Sequence, residues 1–298
     1  MRGRRTMGYH EHQHAYENSP SRRPASQYVN AGTLKIHYLE WDGDGEYTVV
    51  LLHGIGDNAI IWSPLAESLS RDIRIIAFDQ RGHGKSDRPN PPAYACDDYV
   101  GDLDRCIDAL GLNNIIVAGH SMGALHGTAY ASLRPSRVAG LIHADIEPCP
   151  PEWNKKYLTN MYYNAPSTYP SVDAYVLEMQ KNSPHADPRL LRRIAAAALE
   201  RKPDGTYICR YDREVLSHFD RYDVRSRLGS IACPALVVRG SESRVMRRQI
   251  AEEMSRAIPD GRFVEIPKAA HPVHTDNPGE FHRAVLHFLR DIGVIGGE

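Results

Sequence analysis

The sequence contains no apolar run approaching the roughly 20 residues that a membrane-spanning helix needs, so no such span is expected. It also lacks an excess of either charge. The 36 Lys and Arg residues against 37 Asp and Glu leave a net of −1, which argues against nucleic acid or a membrane surface as a partner. Cysteine is sparse. Cys96, Cys106, Cys149, Cys209 and Cys233 lie far apart, without metal-type pairing, and read as buried thiols rather than a disulfide framework. What is present is globular in character: 42% hydrophobic and 24% charged residues exclude wholesale disorder. A length of 298 residues allows one large α/β domain or two smaller ones.

The amino-terminal stretch differs from the rest. Arg2, Arg4 and Arg5 precede His10, His12 and His14, and then Pro20, Arg22, Arg23 and Pro24. There is no apolar stretch here for a secretory signal, so residues 1–27 read as a flexible tail and the expected location is cytoplasmic.

From about residue 28 the pattern is regular. Thr33–Trp41 alternates apolar and polar, as a half-buried strand does. Short, nearly continuous apolar runs follow at Thr48–Leu52, Ile73–Phe78, Ile115–Ala118, Ala139–Ile142, Ala235–Val238 and Phe263–Ile266. Runs of this kind suggest strands buried on both faces, hence an α/β fold with a mostly parallel central sheet flanked by helices. Helical patterns lie between them. Ser63-Pro64 reads as a helix cap; Val100, Leu103, Ile107 and Leu110 share a stripe that Gly111 ends; Asn277-Pro278-Gly279-Glu280 opens a last helix. Between Glu147 and Leu228 no strong strand run occurs, but helical patterns recur around Val172–Lys181 and Pro188–Arg201. Residues 28–147 and 229–298 are therefore read as the core, and 148–228 as an inserted helical cap.

Gly119-His120-Ser121-Met122-Gly123 follows a strand-like run and leads into the helix-compatible Ala124–Leu133. A serine on so tight a strand-to-helix turn is forced into a strained backbone, and the flanking glycines remove Cβ atoms that would clash. The turn lifts the hydroxyl out of the sheet beside a helix amino terminus, whose dipole favours a developing oxyanion.

Four motifs in order then carry a resemblance. His53-Gly54-Ile55-Gly56-Asp57 resembles the oxyanion loop of the α/β-hydrolase family, and Asp79-Gln80-Arg81-Gly82-His83-Gly84-Lys85-Ser86 its D-x-R-G-x-G-x-S turn. Gly119–Gly123 resembles its nucleophile elbow, and Ala269-Ala270-His271 its histidine loop. The resemblance implies that Ser121 attacks an acyl carbon, that His271 shuttles the proton, and that the N–H groups of Ile55 and Met122 hold the oxyanion. It implies that His53 tethers its loop and that Arg81, His83 and Ser86 are structural. Members with an aspartate at the elbow cleave carbon–halogen bonds or epoxides; serine at position 121 disfavours that chemistry.

The acid stays open between two places. In many members it follows the strand corresponding to Ala235–Val238, where this chain offers Ser243 or Arg244 and, one position early, Glu242. In others it ends the preceding strand, where Asp145 stands twenty-four residues beyond Ser121. His274 is a lesser candidate than His271, while His126 and His143 read as core residues, and nothing has metal-ligand spacing.

Trp153, Tyr157, Met161, Tyr162, Tyr163, Tyr169 and Tyr175 give the insertion an aromatic character. They either line a closed pocket, with Trp153, Tyr157 and Tyr162 as substrate contacts, or glue the insertion to the core. The expected function is hydrolysis of a small or medium carboxylic ester or lactone through an acyl-enzyme, with no cofactor and no metal. The rivals are a carbon–carbon bond hydrolase or hydroxynitrile-lyase-like enzyme using the same site, and a non-catalytic small-molecule receptor on the same fold.

Overall fold

In a computed structural model, residues 23–69 and 73–296 are described. Eight strands form one sheet in the order β1-β2-β4-β3-β5-β6-β9-β10. They are β1 (Ala25–Ala31), β2 (Leu34–Trp41), β3 (Thr48–Leu52), β4 (Arg74–Phe78), β5 (Ile115–His120), β6 (Val138–Ala144), β9 (Ala235–Gly240) and β10 (Gly261–Ile266). The β1–β2 and β2–β4 pairs are antiparallel; every other pair is parallel. All six apolar runs seen in the sequence are strands.

The side-chain alternation of β3 explains why those runs are continuous. Val50 and Leu52 face one layer with Leu103, Ile107 and Leu125, whereas Val49 and Leu51 face the other with Trp62, Leu65, Phe281 and Leu289. A strand covered on both sides has no wet face, and burial of each such side chain contributes about 1.5–3 kcal/mol. The covering helices are α1 (Ser63–Leu69), α2 (Cys96–Ala109), α3 (Met122–Leu133), α7 (Arg248–Ala257) and α9 (Pro278–Asp291), which the short α8 (Val273–Asp276) precedes. Gly111 ends the α2 region at φ +63°, and Asn277 caps α9 through its side chain.

Three boundaries differ from expectation. Residues 25–27, assigned to the tail of residues 1–27, belong to an edge strand, Ala25–Ala31; residues 1–22, with their histidines and arginines, lie outside the described residues. Only Val29 and Ala31 of that strand are buried, so its apolar signal is weak and its pairing with β2 places it. Ser63 is not the cap. A 3-10 turn, Ala59–Trp62, precedes α1, and the Asn58 side chain accepts from the Ile60 N–H. The helix begun by Pro188 stops at Ala198, since Leu199–Arg201 (β7) pairs with Tyr207–Cys209 (β8) in a small hairpin around Gly205, at φ +87°.

The insertion carries α4 (Glu152–Tyr163), α5 (Val172–Gln180) and α6 (Pro188–Ala198) besides this hairpin. Its trailing end is sewn to the turn after β4: Gly84 N–H donates to Arg210 O at 2.6 Å, Asp212 N–H to Gly82 O at 2.7 Å, and Tyr94 hydroxyl to the Asp212 carboxylate at 2.6 Å. That turn is rigid in itself, with Arg81 doubly bonded to Asp102 and Ser86 hydroxyl donating to Asp79 O. No helix among the described residues is long and apolar enough to cross a membrane. All five cysteines are free thiols.

Candidate active site

Ser121 stands between the end of β5 and the start of α3, with φ +53° and ψ −123°. This backbone is possible only because its neighbours are glycine. A Cβ on Gly119 would lie 2.3 Å from Gly123 O, and one on Gly123 would lie 2.4 Å from Leu52 O. Ser121 N–H donates to Ala144 O at 2.9 Å, fixing the turn to the end of β6. The strain is held by the sheet on both sides.

The loop after β10 brings His271 to it. His271 Nε2 lies 3.1 Å from Ser121 Oγ, and His271 Nδ1 lies 2.8 Å from Asp145 Oδ2. Ala270 N–H donates to Asp276 at 2.8 Å, and His120 Nε2 donates to His271 O at 2.9 Å, so the loop is gripped from two directions.

Asp145 follows β6 directly, at φ +56° and with no solvent exposure. A buried carboxylate survives only if its oxygens are satisfied. Here Gly240 N–H donates to Oδ1 at 2.8 Å, and Ser243 hydroxyl donates to Oδ2 at 2.6 Å. Ser243 Oγ in turn accepts from the N–H groups of Val245 and Met246 at 3.1 and 3.2 Å. The loop after β9, where the acid is common in the family, thus supplies donors to an acid on β6.

The alternative acid is elsewhere. Glu242 Oε2 pairs with His185 Nε2 at 2.8 Å on the surface and does not reach His271. A residue one place before Ser243 in a tight loop points away from it. The histidines around the site are engaged elsewhere. His53 Nδ1 donates to Gly54 O at 2.7 Å while Nε2 accepts from Gln80 N–H at 3.0 Å, the expected tether. His274 is stacked on Trp62, and burial pushes it down to about 3. His143 bonds Thr128 and Ile146 O; His126 bonds Gln80. Burial holds His53, His120 and His126 below the usual imidazole range, so these rings are neutral at pH 7.

Gly54-Ile55-Gly56 passes directly beside the serine. A Cβ on Gly54 would lie 3.2 Å from Ser121 Cβ. Met122 opens α3, so its N–H belongs to the first turn and has no intrahelical acceptor. Ile55 thus lines the same cleft as Ser121, and Met122 follows the serine directly.

Above lies a cleft of about 980 Å³, counting its mouth, that contains Ser121 and His271 and is roofed by the insertion. Tyr157 and Tyr162 line it, together with Tyr169, Tyr175 and Tyr211. Tyr162 hydroxyl donates to Ile55 O at 2.6 Å, and its ring packs on Gly56, where a Cβ would come within 2.5 Å. Trp153 does not belong here: it is 44% exposed and absent from the lining, because it lies on the outward face of α4. The side chains of Met161 and Tyr163 lie outside the described residues. Asp57, Glu178 and Asn182, which no sequence pattern singles out, also line the cleft. Asp57 is the last residue of the His53–Asp57 motif.

The sequence profile of the α/β hydrolase fold matches residues 47–278. The chain belongs to the α/β-hydrolase family. This hydrolase is similar to a 2-(acetamidomethylene)succinate hydrolase of Mesorhizobium japonicum, 29% identical over 89% of this chain and 95% of the relative. It is similar to an sn-1-specific diacylglycerol lipase of Danio rerio, 26% identical over 87% of this chain and 84% of that one. Among solved structures, an E-2-(acetamidomethylene)succinate hydrolase superposes with a TM-score of 0.82 at 26% identity, covering 89% of this chain and 99% of that one. The family is thus one of hydrolases, whose members differ in the bond they cleave.

Proposed function

We propose that this hydrolase cleaves a small or medium carboxylic ester or lactone through an acyl-enzyme on Ser121. The observation that carries the reading is the continuous relay from Asp145 through His271 to Ser121, at 2.8 and 3.1 Å. His271 Nε2 takes the hydroxyl proton as Ser121 Oγ bonds the acyl carbon. The carbonyl oxygen becomes an oxyanion between the N–H groups of Ile55 and Met122. Collapse breaks the ester C–O bond, and His271 returns the proton to the departing alkoxide. Water then repeats the sequence on the acyl-enzyme and frees the acid. Asp145 holds the ring with Nδ1 protonated and stabilises the imidazolium; it is well placed for this because three donors satisfy its oxygens in a dry setting. Residues 148–228 act as the cap, and the roofed cleft suits a small molecule better than a polymer.

The test is turnover of short-chain p-nitrophenyl esters beside a panel of vinylogous β-diketones. Esters are the expected substrates, and Ser121→Ala is expected to lose about 10⁵-fold or more in kcat. Diketone cleavage without ester cleavage would replace this reading with carbon–carbon hydrolysis.

A further inference from the structure

The cleft has a chemical polarity that the hydrolytic relay does not use. Besides Ser121 and His271 its lining includes two carboxyl groups, Asp57 and Glu178, and five tyrosines; no Lys or Arg is among the described lining residues, the nearby cations Arg213 and Lys181 being engaged with Tyr211 and Ala165 O and with Glu178. Asp57 stands across Gly54 from the nucleophile: its Oδ2 lies 3.3 Å, and Ser121 Cβ 3.2 Å, from the point where Gly54 would carry a Cβ. His120 Nδ1 lies 3.1 Å from the same point. It is buried, has no donor, and must be an acceptor because Nε2 donates to His271 O. No hydrogen bond or charge from the described residues offsets the burial of the Asp57 carboxyl. An unpaired carboxyl and a bare imidazole nitrogen beside the serine give this end of the cleft a negative potential that favours a positively charged group.

The rings supply the second half of such a site. Tyr162 packs on Gly56, next to Asp57, and meets Tyr211 edge-to-face at 5.9 Å; Tyr175 meets Tyr169 at 4.9 Å. Tyrosine faces attract ammonium groups, the more so away from water.

We propose that the ester cleaved at Ser121 bears a cationic ammonium group a few bonds from its carbonyl, seated between Asp57 and the tyrosines of the cleft. The inference rests on the hydrolytic reading above and specifies its substrate class. It separates this chain from a hydrolase of a dicarboxylate, such as the relative from Mesorhizobium japonicum is named for, because the described lining residues include no Lys or Arg and the nearby Arg213 and Lys181 are engaged elsewhere.

Burial pushes the Asp57 carboxyl up to about 7. Facing it are His120 from β5, Tyr162 from α4, and Tyr175 and Glu178 from α5. Burial keeps His120 neutral and holds both phenols protonated, while Glu178 is paired with Lys181 at 2.6 Å. A cation therefore meets a mostly neutral carboxyl well below pH 7 and a carboxylate above it, so preference for the cation rises with pH.

The experiment compares kcat/KM for p-nitrophenyl 4-(trimethylammonio)butanoate and its uncharged isostere, p-nitrophenyl 5,5-dimethylhexanoate. Taking the ratio of the two cancels any pH dependence that both esters share. At pH 8 the cationic ester is expected to be preferred about tenfold or more, in line with a partly desolvated ion pair reinforced by aromatic faces. The ratio is expected to fall several-fold by pH 5.5, and Asp57→Asn is expected to bring it close to one at both pH values. A wild-type ratio at or below one, or a preference that survives Asp57→Asn unchanged, overturns the inference while leaving ester hydrolysis standing. Failure to cleave either ester overturns the hydrolytic reading, and this inference with it.

Discussion

The floor and the roof of the cleft are built on different terms. On the floor, Ser121 follows β5, Asp145 follows β6 and His271 follows β10, so all three hang from one sheet whose strands are packed on both faces. Ser121 and Asp145 both have positive φ, which their sheet neighbours hold in place through Ala144 O, Val238 O and Gly240 N–H. The roof is made of side chains from α4, α5 and the β7–β8 hairpin, with Tyr157 37% exposed at its rim. The contrast teaches a division of labour. Backbone geometry fixes the reaction, where an error of an ångström is costly, and replaceable side chains fix what enters.

That contrast can be broken in order of effect. On the floor, Asp145→Asn is expected to lower kcat by about 10⁴-fold, because an amide cannot hold His271 in the productive tautomer or stabilise its charge. Glu242→Gln is expected to stay within about twofold, since its partner is His185 on the surface. Steady-state kinetics of the two variants on one ester decides the matter; the reverse ranking would move the acid to the loop after β9. On the roof the effects shrink. Tyr162→Phe removes the bond to Ile55 O and is expected to reduce kcat/KM by about three- to tenfold, the equivalent of a single neutral hydrogen bond. Trp153→Ala, on the outward face, is expected to change kcat/KM by less than about twofold. A larger loss from Trp153→Ala than from Tyr162→Phe would mean that the insertion is arranged differently over the site.

The same division governs what was legible in the sequence. Strands covered on both faces leave continuous apolar runs, and the glycines around Ser121 are obligatory because carbonyls crowd both positions. The nucleophile, the histidine and the sheet could therefore be found by pattern. The acid could not be settled by pattern, because Asp145 and Glu242 both follow strands. Contact distinguishes them: Ser243 and Gly240 turn their donors toward β6. The edge strand Ala25–Ala31 was hidden because five of its seven residues are exposed. In the insertion, an aromatic residue reads the same whether it points inward, as Tyr162 does, or outward, as Trp153 does. Asp57 is not legible for another reason: what sets it apart is a carboxyl whose burial no described charge or hydrogen bond offsets, and a sequence does not display that.

The most direct test of the account is to treat the protein with a fluorophosphonate and map the adduct by peptide mass spectrometry. A strained, imidazole-activated serine predicts one stoichiometric adduct on the peptide carrying Ser121, slowed strongly in Asp145→Asn and absent in Ser121→Ala. An intact, folded protein that takes up no reagent, or takes it up at another residue, would contradict it.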